Sequence, residues 1–250
     1  MGFFRQLFRS KAKKSLNLPL DLNQVKIDMH SHLIPGIDDG SPSMEHSLAM
    51  LMKFQNLGFK KVITTPHVKP GSYPNTSEII LDGYKQLKAA AIEAGITLEI
   101  EVAAEYFFDE TLIDKIKAKD ILSFGDHYVL VEFAFNHPPI FENLLFEALI
   151  ENGYKPVLAH FERYSYYFGS MAKAQEWQKK GVAIQLNLSS LCGAYGPEVK
   201  RQAEAMMDQF AFDFVGTDCH RIEHLIQLEE NLTLPYLSRL NDFMLKNSSL

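Results

Sequence analysis

The residues of this chain best suited to chemistry begin with His30-Ser31-His32, which closes an apolar segment starting at Val25. Side chains two apart on a strand share a face, so His30 and His32 project into one space while Met29 and Ser31 turn the other way. Two imidazoles on one face are the start of a metal site. The signal then recurs. Apolar segments run into Thr65-Pro66-His67, Ala104-Glu105, Val131-Glu132, Ala159-His160 and Thr217-Asp218-Cys219-His220, and Asp38-Asp39-Gly40 follows the first pair closely. Five of the nine histidines therefore stand at the ends of apolar runs, where chance would scatter them.

A rim of imidazoles and carboxylates without thiolates suits Mn, Fe or Zn at a catalytic site with water-filled positions better than a closed structural zinc. The candidates outnumber the ligands one ion needs, which points to two or three ions with a carboxylate such as Glu105 bridging. Ions a few ångströms apart can activate a water and clamp the oxygens of a phosphoryl group.

The elements that must position these groups alternate along the chain. Strands are expected near 25–31, 60–66, 97–104, 128–133, 155–160, 182–188 and 213–217, with amphipathic helices between them. Ser41 with Pro42 reads as an N-cap and first turn, Thr76 as a second N-cap, and Gly58, Gly95, Gly153 and Gly181 as helix stops. Strands separated by single helices imply right-handed crossovers and a parallel sheet. Seven of them suggest an α/β barrel related to the eight-stranded one, with its active site at the C-terminal ends of the strands. The alternative is an open doubly wound sheet, but no glycine-rich dinucleotide loop follows the first strand. With no internal repeat or linker, residues 25–250 form one domain behind a basic arm, 1–24.

At 250 residues and 46% hydrophobic, the chain can bury a large core. A net charge of -6 argues against a nucleic-acid surface, which depends on clustered Lys and Arg. Two cysteines, Cys192 and Cys219, make no disulfide framework, and a reducing cytoplasm is the expected setting. No apolar run is long enough for a membrane span. Residues 1–14 place Phe3, Phe4, Leu7 and Phe8 beside Arg5, Arg9, Lys11, Lys13 and Lys14, a spacing that allows weak membrane-surface contact or a loosely docked terminus.

Taken together and in order, His30-Ser31-His32, Asp38-Asp39-Gly40, Thr65-Pro66-His67, Ala104-Glu105-Tyr106, Val131-Glu132-Phe133, His160-Phe161-Glu162-Arg163-Tyr164 and Asp218-Cys219-His220 resemble the PHP (polymerase and histidinol phosphatase) superfamily. Within it they are most similar to the manganese-dependent protein tyrosine phosphatases of bacterial capsule and exopolysaccharide loci, the CpsB/CapC-like group. The match runs from about Val25 to His220. The resemblance implies a distorted seven-stranded TIM-like (β/α)7 barrel with a trinuclear site. It assigns His30, His32, Glu105 and Asp218 to one ion, Glu105, Glu132 and His160 to a second, and His67, His220 and Asp39 or Asp38 to a third, with Asp39 preferred. Arg163 becomes the phosphate anchor, since a guanidinium fork suits phosphate oxygens; its plain alternative is an ion pair with Glu162.

The activity implied is hydrolysis of phosphotyrosine by metal-activated hydroxide, for example on a membrane-bound bacterial tyrosine kinase of polysaccharide export, with manganese as the metal. A phenolate leaving group needs little general-acid help, and His220 or a metal-held water would supply any proton required. Two other readings stand beside it: a small-molecule phosphatase of the histidinol-phosphate type, and a metal-binding regulatory module without turnover. The cysteine-based route to the same product fails, because the sixth residue after Cys192 is Glu198 and after Cys219 is Leu225, where an arginine is needed. Arg221 follows His220 directly, whereas members of the group tend to carry an arginine several residues later, so the rim that selects substrate departs from the pattern while the metal residues keep it.

The remaining features read more plainly. Tyr73, Tyr106, Phe107 and Phe135 could shape an aromatic pocket or pack in the core and rim. His46, His127, His137 and His224 read as solvated or structural, Trp177 as a packing anchor, and Cys219 as small packing that points away from the site.

Overall fold

The computed structural model describes residues 18–250, so the membrane-surface expectation for residues 1–14 lies outside the described residues. In chain order the strand segments are β1 (Ile27–Asp28), β2 (Lys61–Thr64), β3 (His67–Val68), β4 (Glu99–Val102), β5 (Glu105–Phe107), β6 (Tyr128–Glu132), β7 (Lys155–Leu158), β8 (Ala183–Asn187) and β9 (Phe214–Gly216). The helices are α1 (Leu22–Val25), α2 (Met44–Leu57), α3 (Ser77–Glu93), α4 (Glu110–Ala118), α5 (Glu142–Glu151), α6 (Ala172–Lys179), α7 (Leu188–Cys192), α8 (Pro197–Gln209), α9 (Ile222–Asn231) and α10 (Pro235–Arg239).

Every ladder between these strands is parallel, in one sheet ordered β1-β2-β4 and a second ordered β3-β5-β6-β7-β8-β9 among the described residues. Among the described residues the hydrogen bonding thus yields nine segments where the sequence reading had seven, because a further short segment follows each of two expected strands. The segment expected at 60–66 stops at Thr64, since Pro66 has no N–H to give a ladder, and pairing resumes at His67 against Glu105. The segment expected at 97–104 likewise holds β4 alone, and pairing resumes just past its end in β5. Glu105 N–H donates to the Pro66 carbonyl across the gap, so the sheets stay continuous in space.

The curl brings its two ends together. Ser31 and Cys219 form an isolated parallel bridge, and His32 N–H donates to the Cys219 carbonyl while Asp218 N–H donates to that of His30. At the opposite end the buried Asn247 side chain donates to the carbonyls of Ile27 and Val215 and accepts from Val215 N–H, tying β1 to β9 where no ladder does.

Alternate residues on each strand face one way. On β6 Leu130 joins a small inner cluster with Ile27, Met29, Ile63, Ala103, Val157, Ala183 and Phe214, whereas Val129 and Val131 pack into the larger cluster beneath the helices. Continuing the inward rows upward from Leu130, Ala183 and Phe214 reaches Glu132, Asn187 and Asp218. An apolar floor therefore gives way to a polar top along the same strands. The outer cluster takes in Trp177, Leu20 and Leu22, so the last residues of the expected arm pack with the domain.

Local signals account for most helix ends. Thr76 caps α3 by accepting from Ile79 N–H, as expected, and Gly58 ends α2 at φ +99°. The cap of α2 is Ser43 rather than Ser41: Ser43 is extended and its oxygen accepts from His46 N–H, whereas Ser41 bonds the Ser43 carbonyl and Ser47.

Candidate metal centre

The polar top brings together His30, His32, Asp39, His67, Glu105, Glu132, His160, Asp218 and His220 in four overlapping clusters whose ligand atoms lie within 4.8 Å of one another. The groups are His32 with Asp39, His67 and His220; His30 with His32 and Glu105; His30 with His160 and Asp218; and His67 with Glu105 and Glu132. This partition differs in detail from the one the resemblance implied: His160 faces Asp218 as well as Glu105, and Glu132 groups with His67. Glu105 lies in the middle, its Oε2 3.1 Å from His67 Nδ1 and 3.2 Å from His30 Nε2, its Oε1 3.1 Å from His160 Nε2.

The two aspartates of the 38–39 pair divide the work. Asp38 Oδ2 lies 2.8 Å from His32 Nδ1 and accepts from His67 N–H, which orients His32 from behind. Asp39 Oδ1 instead faces the Nε2 atoms of His67 and His220 at 3.4 and 3.6 Å. His220 donates from Nδ1 to the Asp218 carbonyl, leaving Nε2 to face the cluster. Two of the site residues also carry backbone strain, His160 at φ +34° and Asp218 at φ +51°. Non-glycine residues seldom adopt these angles, and here they end strands and aim side chains inward.

The electrostatics call for a cation. His30 Nε2 and His32 Nε2 are 3.3 Å apart, and the other nitrogen of each ring already faces an oxygen, of Gln185 and Asp38 respectively. Two ring nitrogens this close must share a proton or a metal ion between them. Burial opposes a charge on His30, yet the Glu105 and Asp218 carboxylates hold its pKa up at about 9. Burial likewise works against ionised Glu105, but His30 and His67 keep it well below the usual carboxylate range. Burial followed by the Glu105 charge pushes Glu132 upward. Burial lowers His67 and His160 to about 4, which keeps them neutral with lone pairs available. Glu105 Oε2, Glu132 Oε2, His67 Nδ1 and His160 Nδ1 are buried without a hydrogen-bond partner. The donor set, its surplus of negative oxygen and these orphaned atoms fit divalent metal ions.

A cavity of about 490 Å³ opens above the cluster, lined also by Lys69, Tyr73, Phe135, Arg163, Tyr195, Arg221 and His224. Arg163 does not pair with Glu162, the alternative raised from sequence. Its Nη1 donates to Asp218 Oδ2 at 2.9 Å, and its guanidinium lies between the rings of Phe135 and Tyr195, 4.5 and 4.2 Å from their centroids. Glu162 is held elsewhere, accepting from Ser190 Oγ and Asn187 N–H. Tyr73 stacks on His67 at the rim. Tyr106 does not line the pocket: its ring is in the core and its hydroxyl accepts from Leu122 N–H. Phe107 lies under the Lys69 ammonium.

Sequence reasoning passed over Lys69, Tyr195, Gln185 and Asn187, whose types carry no metal signal. It left His224 among the solvated or structural histidines, yet that residue is half-buried on α9, one turn beyond His220, and lines the cavity. The i, i+4 spacing was the available clue. Cys219 is buried against Met50, away from the cluster.

The family model described as "Capsular polysaccharide synthesis, CpsB/CapC" matches residues 26–227. The tyrosine-protein phosphatase YwqE of Bacillus subtilis is 28% identical over 236 residues, 90% of this chain and 93% of that protein. The putative tyrosine-protein phosphatase CapC of Staphylococcus aureus is 29% identical over 197 residues, 78% of this chain and 77% of its own. A solved structure from work on YwqE of B. subtilis and CpsB of Streptococcus pneumoniae, described as unique metal-dependent tyrosine phosphatases, superposes with a TM-score of 0.75 at 27% identity, covering 86% of this chain and 91% of that one.

Proposed function

The chain belongs to the CpsB/CapC family of capsular polysaccharide synthesis, and from that premise we propose that it is a metal-dependent protein tyrosine phosphatase, a phosphoric monoester hydrolase. The observation that carries this reading is the convergence of five imidazoles and four carboxylates below a cavity that also holds Arg163. We read the two sheets as arcs of one distorted seven-stranded barrel, interrupted near Pro66 and Ala103, whose C-terminal rim is the site.

The nine clustered residues would hold two or three divalent ions, with Glu105 shared between them. Oxygen and imidazole donors without thiolate favour manganese, with iron and zinc as competitors. Bound there, such ions supply Lewis acidity, which lowers the pKa of a water and offsets charge on phosphoryl oxygens.

The protein's own groups do the rest. Arg163 spends one N–H on Asp218 and keeps the remainder of its fork beside the cavity, where it would bind the non-bridging oxygens of a phosphate and orient the ester. The Phe135 and Tyr195 rings hold the guanidinium plane in place. Tyr73 and Phe135 offer apolar faces for the phenyl group. Because a phenolate leaves with a pKa near 10, the chemistry does not depend on a strong proton donor.

The natural substrate would be a phosphotyrosine protein such as a membrane-bound tyrosine kinase of capsule export. Two free thiols, Cys192 and Cys219, fit a reducing cytoplasm. The deciding experiment is hydrolysis of a phosphotyrosine peptide and of histidinol phosphate by metal-stripped protein reloaded with Mn²⁺, with bound metal counted in the same sample. Faster peptide turnover supports the proposal. Preference for histidinol phosphate moves the function to small-molecule metabolism, and bound metal without turnover of either marks a regulatory module.

A further inference from the structure

β8 differs from its neighbours. β7 and β9 run into His160 and Asp218, while the inward row of β8 ends in the fully buried amides of Gln185 and Asn187. One backbone group settles how these amides point. The N–H of His160 can only donate, and it donates to Gln185 Oε1 at 2.9 Å. Oε1 is therefore the carbonyl oxygen, and Nε2 donates to Asn187 Oδ1 at 2.8 Å. Asn187 Nδ2 in turn donates to Asp218 Oδ2 at 2.8 Å. On the other branch His30 Nδ1 lies 3.1 Å from the same Gln185 Oε1, and facing an acceptor it must carry a hydrogen.

We propose that Gln185 and Asn187 are positioning residues of the metal centre: a directed relay from His160 N–H that makes His30 present Nε2, and Asp218 present Oδ1, to the ions. The proposal rests on the metal-holding role assigned above. Asp218 Oδ2 is already taken by Asn187 and Arg163, so Oδ1 alone is left for the cluster, 3.3 Å from His30 Nε2. Gly216 makes the arrangement possible. A Cβ there would lie 2.9 Å from His30 Cβ and 3.0 Å from Gln185 Nε2, driving apart the two partners of the bond. Asn187 N–H bonded to Glu162 Oε1 anchors the far end of the relay on the segment that carries Arg163. One amide pair thus couples His30, His160, Asp218 and the arginine's segment. Side chains that orient ligands from behind in this way typically contribute 10–100-fold in metal affinity.

The test uses Zn²⁺, which is diamagnetic, on the full chain: affinity by competition titration, and the ¹⁵N signature of the His30 ring by NMR. The parent is expected to show a hydrogen-bonded Nδ1–H, slow to exchange with water, with Nε2 bound. Gln185→Met should lose that signature and bind Zn²⁺ about 10–100-fold more weakly. Gln185→Glu, which keeps both acceptor contacts, should restore the Nδ1–H signature, a rescue that a purely structural role would not produce. If Gln185→Met does not fold, Asn187→Leu decides, with weaker Zn²⁺ binding and an unchanged His30 signature expected. Parent-like affinity and signature in Gln185→Met, or parent-like affinity in Asn187→Leu, would overturn the relay while leaving the metal centre standing. A parent that binds neither Zn²⁺ nor Mn²⁺ would overturn both.

Discussion

At one end of the curled sheet Ile27, Met29, Ile63, Leu130, Val157 and Phe214 pack without a charge among them; at the other, a few residues further along the same strands, nine imidazole and carboxylate groups crowd together. The floor is stable on its own terms, because each side chain leaves water for apolar neighbours. The top is not. Its carboxylates and imidazoles are desolvated, and burial works against their charges while Glu105 and Asp218 on one side and His30 on the other hold one another ionised. The contrast teaches that stability and function can be separated along one strand, so substitutions at the two ends should fail differently.

The largest effect is expected at the top. His30→Ala or Asp218→Ala should abolish phosphoester hydrolysis by depleting the metal, with thermal unfolding little changed when variant and parent are compared metal-free; metal analysis beside a melting curve in chelator checks both, and a variant with full metal content would contradict the assigned role. At the floor Leu130→Ala should cost about 2–5 kcal/mol of stability through lost burial and a cavity. Its metal content and its turnover per folded molecule should match the parent, and a loss of metal would erase the proposed division between the ends.

Arg163→Ala sharpens the comparison within the top. It should retain metal and lower turnover by about 10²–10³-fold, the scale for removing a preorganised donor to developing charge. Metal loss in that variant would sink its role as phosphate anchor, an outcome its bond to Asp218 makes worth measuring. The smallest effect concerns the parent itself. Because ions would bind the folded state and not the unfolded one, Mn²⁺ at about 100 times its Kd should add about 2.7 kcal/mol of stability, lost again on chelation. A denaturant midpoint indifferent to chelator would argue that the top needs no cation.

Much of the fold was legible because its signals are local. Apolar runs of strand length, caps such as Thr76 and stops such as Gly58 act within a few residues of themselves. The interruption at Thr65-Pro66 could have been read from the missing N–H of proline, but the resumption of pairing at His67 depends on Glu105, a neighbour only in space. At the site the residue types able to bind metal were visible in the sequence, since imidazole and carboxylate at strand ends have few structural uses in that number. The amides were not, because Gln185 and Asn187 have ordinary structural uses anywhere in a chain.

The sequence by itself determined the alternation of strands and helices and the stock of ligand types at the strand ends. Only the tertiary structure decided that Asp39 rather than Asp38 faces the cluster, that Arg163 pairs with Asp218 rather than Glu162, and that the β8 amides bond to His30, His160 and Asp218. The reason is separation along the chain. The partners of Arg163 and His30 lie 55 and 155 residues away, and no local preference selects among groups that meet only when the sheet curls.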